Sequence, residues 1–165
     1  MKDLPVRKSI RLNNYDYSQN GYYFVTICTH NKKKYFGEIV GATLCGRPNN
    51  PDKMILKWLL ELERKFDGVK IDEYIVMPNH VHFIVKKTGD HAESPLQDII
   101  SWFKTMTTNE YIKNVKEKKY SPFEKSLWQR GYYEHIIRNE EEYIKIAKYI
   151  IFNVQKWADD ELYLA

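Results

Sequence analysis

Tyr74-Ile-Val-Met-Pro-Asn-His-Val-His-Phe-Ile-Val85 is a pair of apolar runs broken at Pro78-Asn79, and the second run opens with His80 and His82. Side chains alternate along a strand, so both imidazoles fall on one face, roughly 7 Å apart at their Cα atoms, while Val81, Phe83 and Val85 share the other. Two neutral imidazoles on an otherwise apolar strand cost desolvation unless each ring finds a partner. A shared divalent cation is one common way to supply it. Val69 to Met77 reads as the preceding strand, and Pro78-Asn79 turns the chain back to form an antiparallel pair.

Working outward from this pair, Ile55, Trp58, Leu59, Leu62 and Phe66 recur at helical spacing from Asp52 until Asp67-Gly68 stops the run, which predicts a helix covering one sheet face. Upstream, Tyr22 to Thr29 is rich in β-branched and aromatic residues and follows Asn20-Gly21, as a first strand does. Tyr35 to Val40 reads as a short extended piece, and Gly41 to Pro51 as a flexible loop that connects elements without dividing domains. Downstream, Ser94-Pro95-Leu96-Gln97 has the form of a capping box opening a second helix, with Leu96, Ile99, Ile100, Phe103 and Tyr111 on its apolar face and Lys104 among the polar residues opposite. Tyr132 to Arg138 predicts a fourth strand in which His135 shares a face with Tyr133 and Ile137. Asn139 caps a third helix whose first turn holds Glu140, Glu141 and Glu142. On it Tyr149 and Asn153, four residues apart, lie on one face with Ile146, and Tyr143, Ala147, Ile150 and Val154 form the stripe expected to pack on the protein. Two split βαβ units of this order predict an α+β, ferredoxin-like sandwich: an antiparallel sheet with helices on one face, plus the C-terminal helix.

One domain over residues 1–165 suits a chain of 165 residues. Its 26 Lys plus Arg against 22 Asp plus Glu leave +4, too little to identify a nucleic-acid binder but compatible with an anionic partner. Aromatics reach 15%, with 13 Tyr and 4 Trp, which serves both a core and base stacking. Cys28 and Cys45 make neither a disulfide framework nor a CxxC pair, and no apolar run is long enough for a membrane span. A reducing cytoplasm is the expected location. The lead-in with Arg7, Lys8 and Arg11 can clamp phosphates or lie solvated over the sheet.

Met77-Pro-Asn-His-Val-His82, preceded by Asp72-Glu-Tyr-Ile-Val76, resembles the His-hydrophobe-His signature of the single-tyrosine HUH transposases, which include insertion-sequence transposases and their REP-associated relatives. Ser9-Ile-Arg-Leu12 with Tyr15-Asp-Tyr-Ser18, Tyr23 to Cys28, Trp128-Gln-Arg-Gly-Tyr-Tyr-Glu-His135 and Lys148-Tyr-Ile-Ile-Phe-Asn153 are similar to further blocks of that family, in its order. Where members often carry Asn-Pro after the tyrosine, this chain has Asn153-Val154.

The resemblance implies a metal-dependent endonuclease and strand transferase for single-stranded DNA with hairpin-forming repeat ends, working as a homodimer or a monomer. It implies His80, His82 and Asn153 as metal ligands and Tyr149 as the nucleophile. Two imidazoles alone favour zinc or another transition metal, whereas the family's phosphoryl chemistry implies Mg²⁺ or Mn²⁺. A phenol of ordinary pKa, about 10, needs help to ionise at neutral pH. His135 is a candidate for that help or for contacting DNA, and it can equally orient a neighbour. Arg7, Lys8, Arg11, Lys104, Trp128 and Arg130 are the other expected DNA contacts. Two other readings stand beside it: a domesticated, non-catalytic nucleic-acid-binding domain of the same fold, and a metal-dependent phosphodiesterase that uses activated water.

Overall fold

The computed structural model describes residues 15–37, 39–40, 43–44, 51–89, 94–159 and 162. The elements are β1 (Gly21–Cys28), β2 (Ile39–Val40), β3 (Thr43–Leu44), α1 (Pro51–Lys65), β4 (Val69–Met77), β5 (His80–Lys87), α2 (Leu96–Lys116), β6 (Tyr133–Ile137) and α3 (Glu140–Phe152), which runs on as a 3₁₀ segment, Asn153–Asp159. Four strands form one antiparallel sheet in the order β4-β5-β1-β6. The long crossovers through α1 and α2 make the two interleaved split βαβ units of a ferredoxin-like α+β sandwich. Among the described residues no helix is long and apolar enough to cross a membrane.

The sheet buries both faces, by different means. On one side Tyr23, Val25 and Ile27 of β1 and Val81, Phe83 and Val85 of β5 meet Ile55, Leu59 and Leu62 of α1 and Leu96, Ile99, Ile100 and Phe103 of α2. Full burial of each such side chain stabilises by about 1.5–3 kcal/mol, so this larger cluster holds most of the fold. On the other side Phe24, Ile84 and Ile137 pack against Ile150 of α3, with Tyr22, Ile75, Tyr143 and Ile146 around them. The C-terminal helix therefore covers the face opposite α1 and α2.

Two local readings change. Leu96 is the first residue of α2 and Pro95 occupies the cap position with no side-chain cap bond, so there is no capping box. Ser94 stands one residue too early for its hydroxyl to reach the first-turn amides, and its carbonyl accepts instead from the buried Lys87 ammonium (2.8 Å), which also reaches the carbonyls of Tyr17 (3.1 Å) and Ser18 (2.9 Å). The second change is in the stretch read as an extended piece followed by a flexible loop. Its strand pairing starts only at Ile39 and continues to Thr43–Leu44 within the loop. Two residues a side are too few to leave a period-2 signature.

Candidate active site

Register puts the histidines where they can act. In the β1–β5 ladder Thr26 stands opposite His82 and Cys28 opposite His80, and the rings lie side by side on the α3 face with centroids 4.4 Å apart. Both are buried, His80 fully and His82 to 2% exposure. Each Nδ1 has an oxygen beside it: Thr26 Oγ1 at 2.8 Å from His82 and Asn79 Oδ1 at 2.7 Å from His80. Burial, with the nearby Lys32 charge adding to it, pushes the His80 pKa down to about 3. That ring is neutral at any physiological pH, the form in which imidazole binds metals.

The tyrosine arrives on a helix made for this face. Asn139 caps α3, accepting from the Glu142 amide (2.9 Å), and the three glutamates of its first turn suit the positive end of the helix dipole. Buried Ala147 and Ile150 hold it on the sheet. A hydrogen bond donated by the Tyr143 hydroxyl to Asp72 Oδ2 (2.7 Å) joins it to the β-bulge of β4. Tyr149 then extends over the histidines: its hydroxyl is 3.3 Å from His82 Nε2, its ring centroid 5.2 Å from that of His82, and 46% of it is exposed. One turn later, at the C-cap of α3, Asn153 is only 4% exposed. Tyr143, the other phenol on this helix, is pushed up to about 12 by burial and by its bond to Asp72, so it stays protonated.

The donor set fits a divalent cation. His80 Nε2 is buried and has no hydrogen-bond partner among the described residues, an arrangement that disfavours folding unless something else satisfies the nitrogen. Among the described residues no third His, Cys, Asp or Glu joins the pair there. His80, His82 and the Asn153 amide oxygen are the described residues that could hold a metal.

A family profile described as "Transposase IS200 like" matches residues 17–153, a span that includes every residue of this centre. The chain belongs to the IS200-like transposase family. Over 172 aligned positions it is 34% identical to an uncharacterized protein of Haemophilus influenzae, covering 96% of this chain and 93% of the relative. It is 26% identical to a protein of the same organism described as a REP-associated tyrosine transposase, covering 86% and 74%. Among solved structures, a REP-associated tyrosine transposase bound to a REP hairpin superposes with a TM-score of 0.61 at 20% identity, covering 89% of this chain and 73% of the other. A transposase from Deinococcus radiodurans R1 superposes at 0.53 and 17% identity, covering 85% and 94%. These two superpositions bear on the fold alone.

In this family member a cleft of about 1620 Å³ opens beside the centre, lined by His82, Tyr149 and Asn153 and by Arg130, Lys145 and Lys148, with no Asp or Glu among the described lining residues. Arg130 is exposed on its wall, as a DNA contact requires. The other expected contacts that can be located are engaged by neighbours within the fold. Lys104 donates to the carbonyls of Gln129 (2.8 Å), Gly131 (2.8 Å) and, more weakly, Arg130 (3.4 Å), so its ammonium holds the cleft wall from behind. Trp128 is 5% exposed, donates from its indole N–H to Thr107 Oγ1 (2.9 Å) and packs on Phe36 and Phe103. His135 pairs through Nε2 with Glu142 Oε1 (2.6 Å), joining β6 to α3. Glu142 also accepts from the Arg138 amide, and these two bonds hold its carboxyl below the usual range. Arg7, Lys8 and Arg11 lie outside the described residues. Thr26, Asn79 and Lys148 belong to the site although sequence reasoning did not single them out. Thr26 read only as a strand former and Asn79 only as a turn residue, and nothing in either stretch names the ring each would meet.

Proposed function

We infer that this chain is a metal-dependent endonuclease and strand transferase for single-stranded DNA, with Tyr149 as nucleophile and hairpin-forming repeat ends as its DNA. The observation that carries this reading is the 3.3 Å approach of the Tyr149 hydroxyl to His82 Nε2. A half-exposed phenol gains little stability from such a contact, yet it stands where an attacking oxygen is needed, at the rim of a cleft whose ionic side chains are all cationic among the described residues. The hairpin held by the solved REP-associated neighbour supports the choice of DNA.

His80, His82 and Asn153 would hold Mg²⁺ or Mn²⁺, the Asn153 oxygen being the hard donor such ions prefer. When bound, the cation supplies charge neutralisation at the non-bridging oxygens of the scissile phosphate. The Tyr149 oxygen bonds to phosphorus as its proton is lost, and the bond from phosphorus to the 3′ oxygen breaks. One strand leaves with a 3′ hydroxyl, while the other stays on the protein as a 5′-phosphotyrosine. Attack by a second 3′ hydroxyl reverses the step and joins strands without a nucleotide cofactor. Arg130 and Lys148 face the DNA backbone along the cleft. Tyrosine and histidines come from one chain, so a monomer suffices for cleavage, and a homodimer can hold two ends.

The test incubates wild type and Tyr149→Phe with single-stranded hairpin DNA and Mn²⁺ or Mg²⁺, then resolves the products on a denaturing gel. A covalent protein–DNA band with wild type only is the expected result. Cleavage that survives in Tyr149→Phe points to a hydrolase that activates water, and binding without cleavage points to a non-catalytic domain.

A further inference from the structure

Asn79, half of the turn between β4 and β5, is completely buried and every polar group of its side chain is engaged. Its Nδ2 donates to two backbone carbonyls, Lys32 O (3.0 Å) and Leu162 O (2.8 Å). Its own carbonyl accepts from the Thr29 amide (2.8 Å) and the Thr29 hydroxyl (3.1 Å), so the backbone at this position cannot swing. Carbonyl oxygens only accept, so the nitrogen end of the carboxamide must face them, and Oδ1 is thereby turned to His80 Nδ1 at 2.7 Å. An amide oxygen also only accepts. The hydrogen between the two must belong to the ring.

We propose that Asn79 is the positioning residue that sets the tautomer of His80, forcing its proton onto Nδ1 so that the Nε2 lone pair points, bare, into the centre. A turn asparagine usually serves its own backbone; this one fixes which nitrogen of the neighbouring imidazole can bind a cation. Through Leu162 it is also linked to the chain after the 3₁₀ segment, and within that segment the Trp157 ring lies 5.7 Å from the His80 ring. Outer partners that orient a ligand in this way typically change metal affinity by about 10–100-fold when removed. The inference rests on the proposed metal-dependent reading of the site.

The test reads the His80 tautomer in the full-length, metal-free chain by long-range ¹H–¹⁵N correlation, with the His80→Gln spectrum identifying the ring. Wild type is expected to carry its proton on Nδ1. Asn79→Ala is expected to move it, wholly or in part, to Nε2 and to weaken Mn²⁺ binding by titration calorimetry about 10–100-fold. A wild-type ring protonated on Nε2 overturns the proposal, as does a folded Asn79→Ala that keeps the wild-type tautomer and Mn²⁺ affinity. Should Asn79→Ala not fold, Asn79→Asp replaces it: this variant keeps an oxygen facing Nδ1 and must keep the proton there, and its absence from Nδ1 refutes the idea. The tautomer is read without metal or DNA. A failure there leaves the Tyr149 adduct untouched, and a missing adduct leaves the ring as it is.

Discussion

Replacing Thr26 by Val exchanges a hydroxyl for a methyl of nearly the same volume, so it opens no cavity and isolates one interaction, the 2.8 Å bond to His82 Nδ1. Thr26 is 7% exposed and His82 2%, which leaves little room for water to replace the lost group. Removing one partner of a buried hydrogen bond costs about 1–3 kcal/mol. The same bond holds the imidazole plane, and a ring free to rotate binds metal more weakly, by about 10–100-fold. At 1.4 kcal/mol per factor of ten that corresponds to about 1.4–2.8 kcal/mol, the range reached independently from the hydrogen bond. Urea unfolding of the metal-free chain gives the first quantity and calorimetric Mn²⁺ titration the second, with Thr26→Ser, which restores the hydroxyl, as control. If Thr26→Val matches wild type in both, the hydroxyl does not orient the ring and the reasoning from cross-strand register to metal affinity is refuted.

Tyr149→Phe changes only the hydroxyl of a half-exposed side chain, 3.3 Å from His82 Nε2, so its stability in urea unfolding should stay within about 0.5 kcal/mol of wild type while adduct formation disappears. Asn139→Ala takes away the cap of α3 and should destabilise by about 1 kcal/mol in the same unfolding assay. Burial pushes the Lys104 ammonium down to about 8. The unfolded chain, with an ordinary lysine, therefore holds that proton to higher pH than the folded one does, so this group's contribution to stability is lowest below pH 8 and rises from about pH 8 towards the ordinary lysine range. Unfolding curves at pH 7 and 9 should show a shallower rise in Lys104→Met than in wild type. The same variant, having lost the donor behind the 129–131 wall, should bind single-stranded DNA more weakly in a fluorescence anisotropy titration.

The order of elements was legible because each run of this chain declares its period. Alternation around His80 and His82 marks a strand, and Ile55, Leu59 and Leu62 mark a helix, whatever they pack against. The cap at Asn139 and the shared face of Tyr149 and Asn153 follow from spacing within one helix. The Ser94 cap failed for want of a single residue of register, a margin that sequence signals do not resolve. That Lys104 and Trp128 are engaged inside the fold was hidden for a different reason. Cationic and amphipathic side chains look alike in sequence whether they face DNA or satisfy carbonyls and hydroxyls inside the fold.

Taken alone, the sequence determined which atoms were available: two imidazoles on one strand face, a phenol and an amide on one helix face, and an apolar stripe beside them. Only the tertiary structure decided that these faces meet. Burial of apolar area has no direction, so α3 could as well have joined α1 and α2. The face left to it depends on β1 pairing between β5 and β6, a long-range choice that also sets Thr26 against His82 and, through the Pro78-Asn79 turn, Asn79 against His80. Thr26 and His82 are 56 positions apart and His82 and Tyr149 are 67, and no local pattern encodes a distance of that kind.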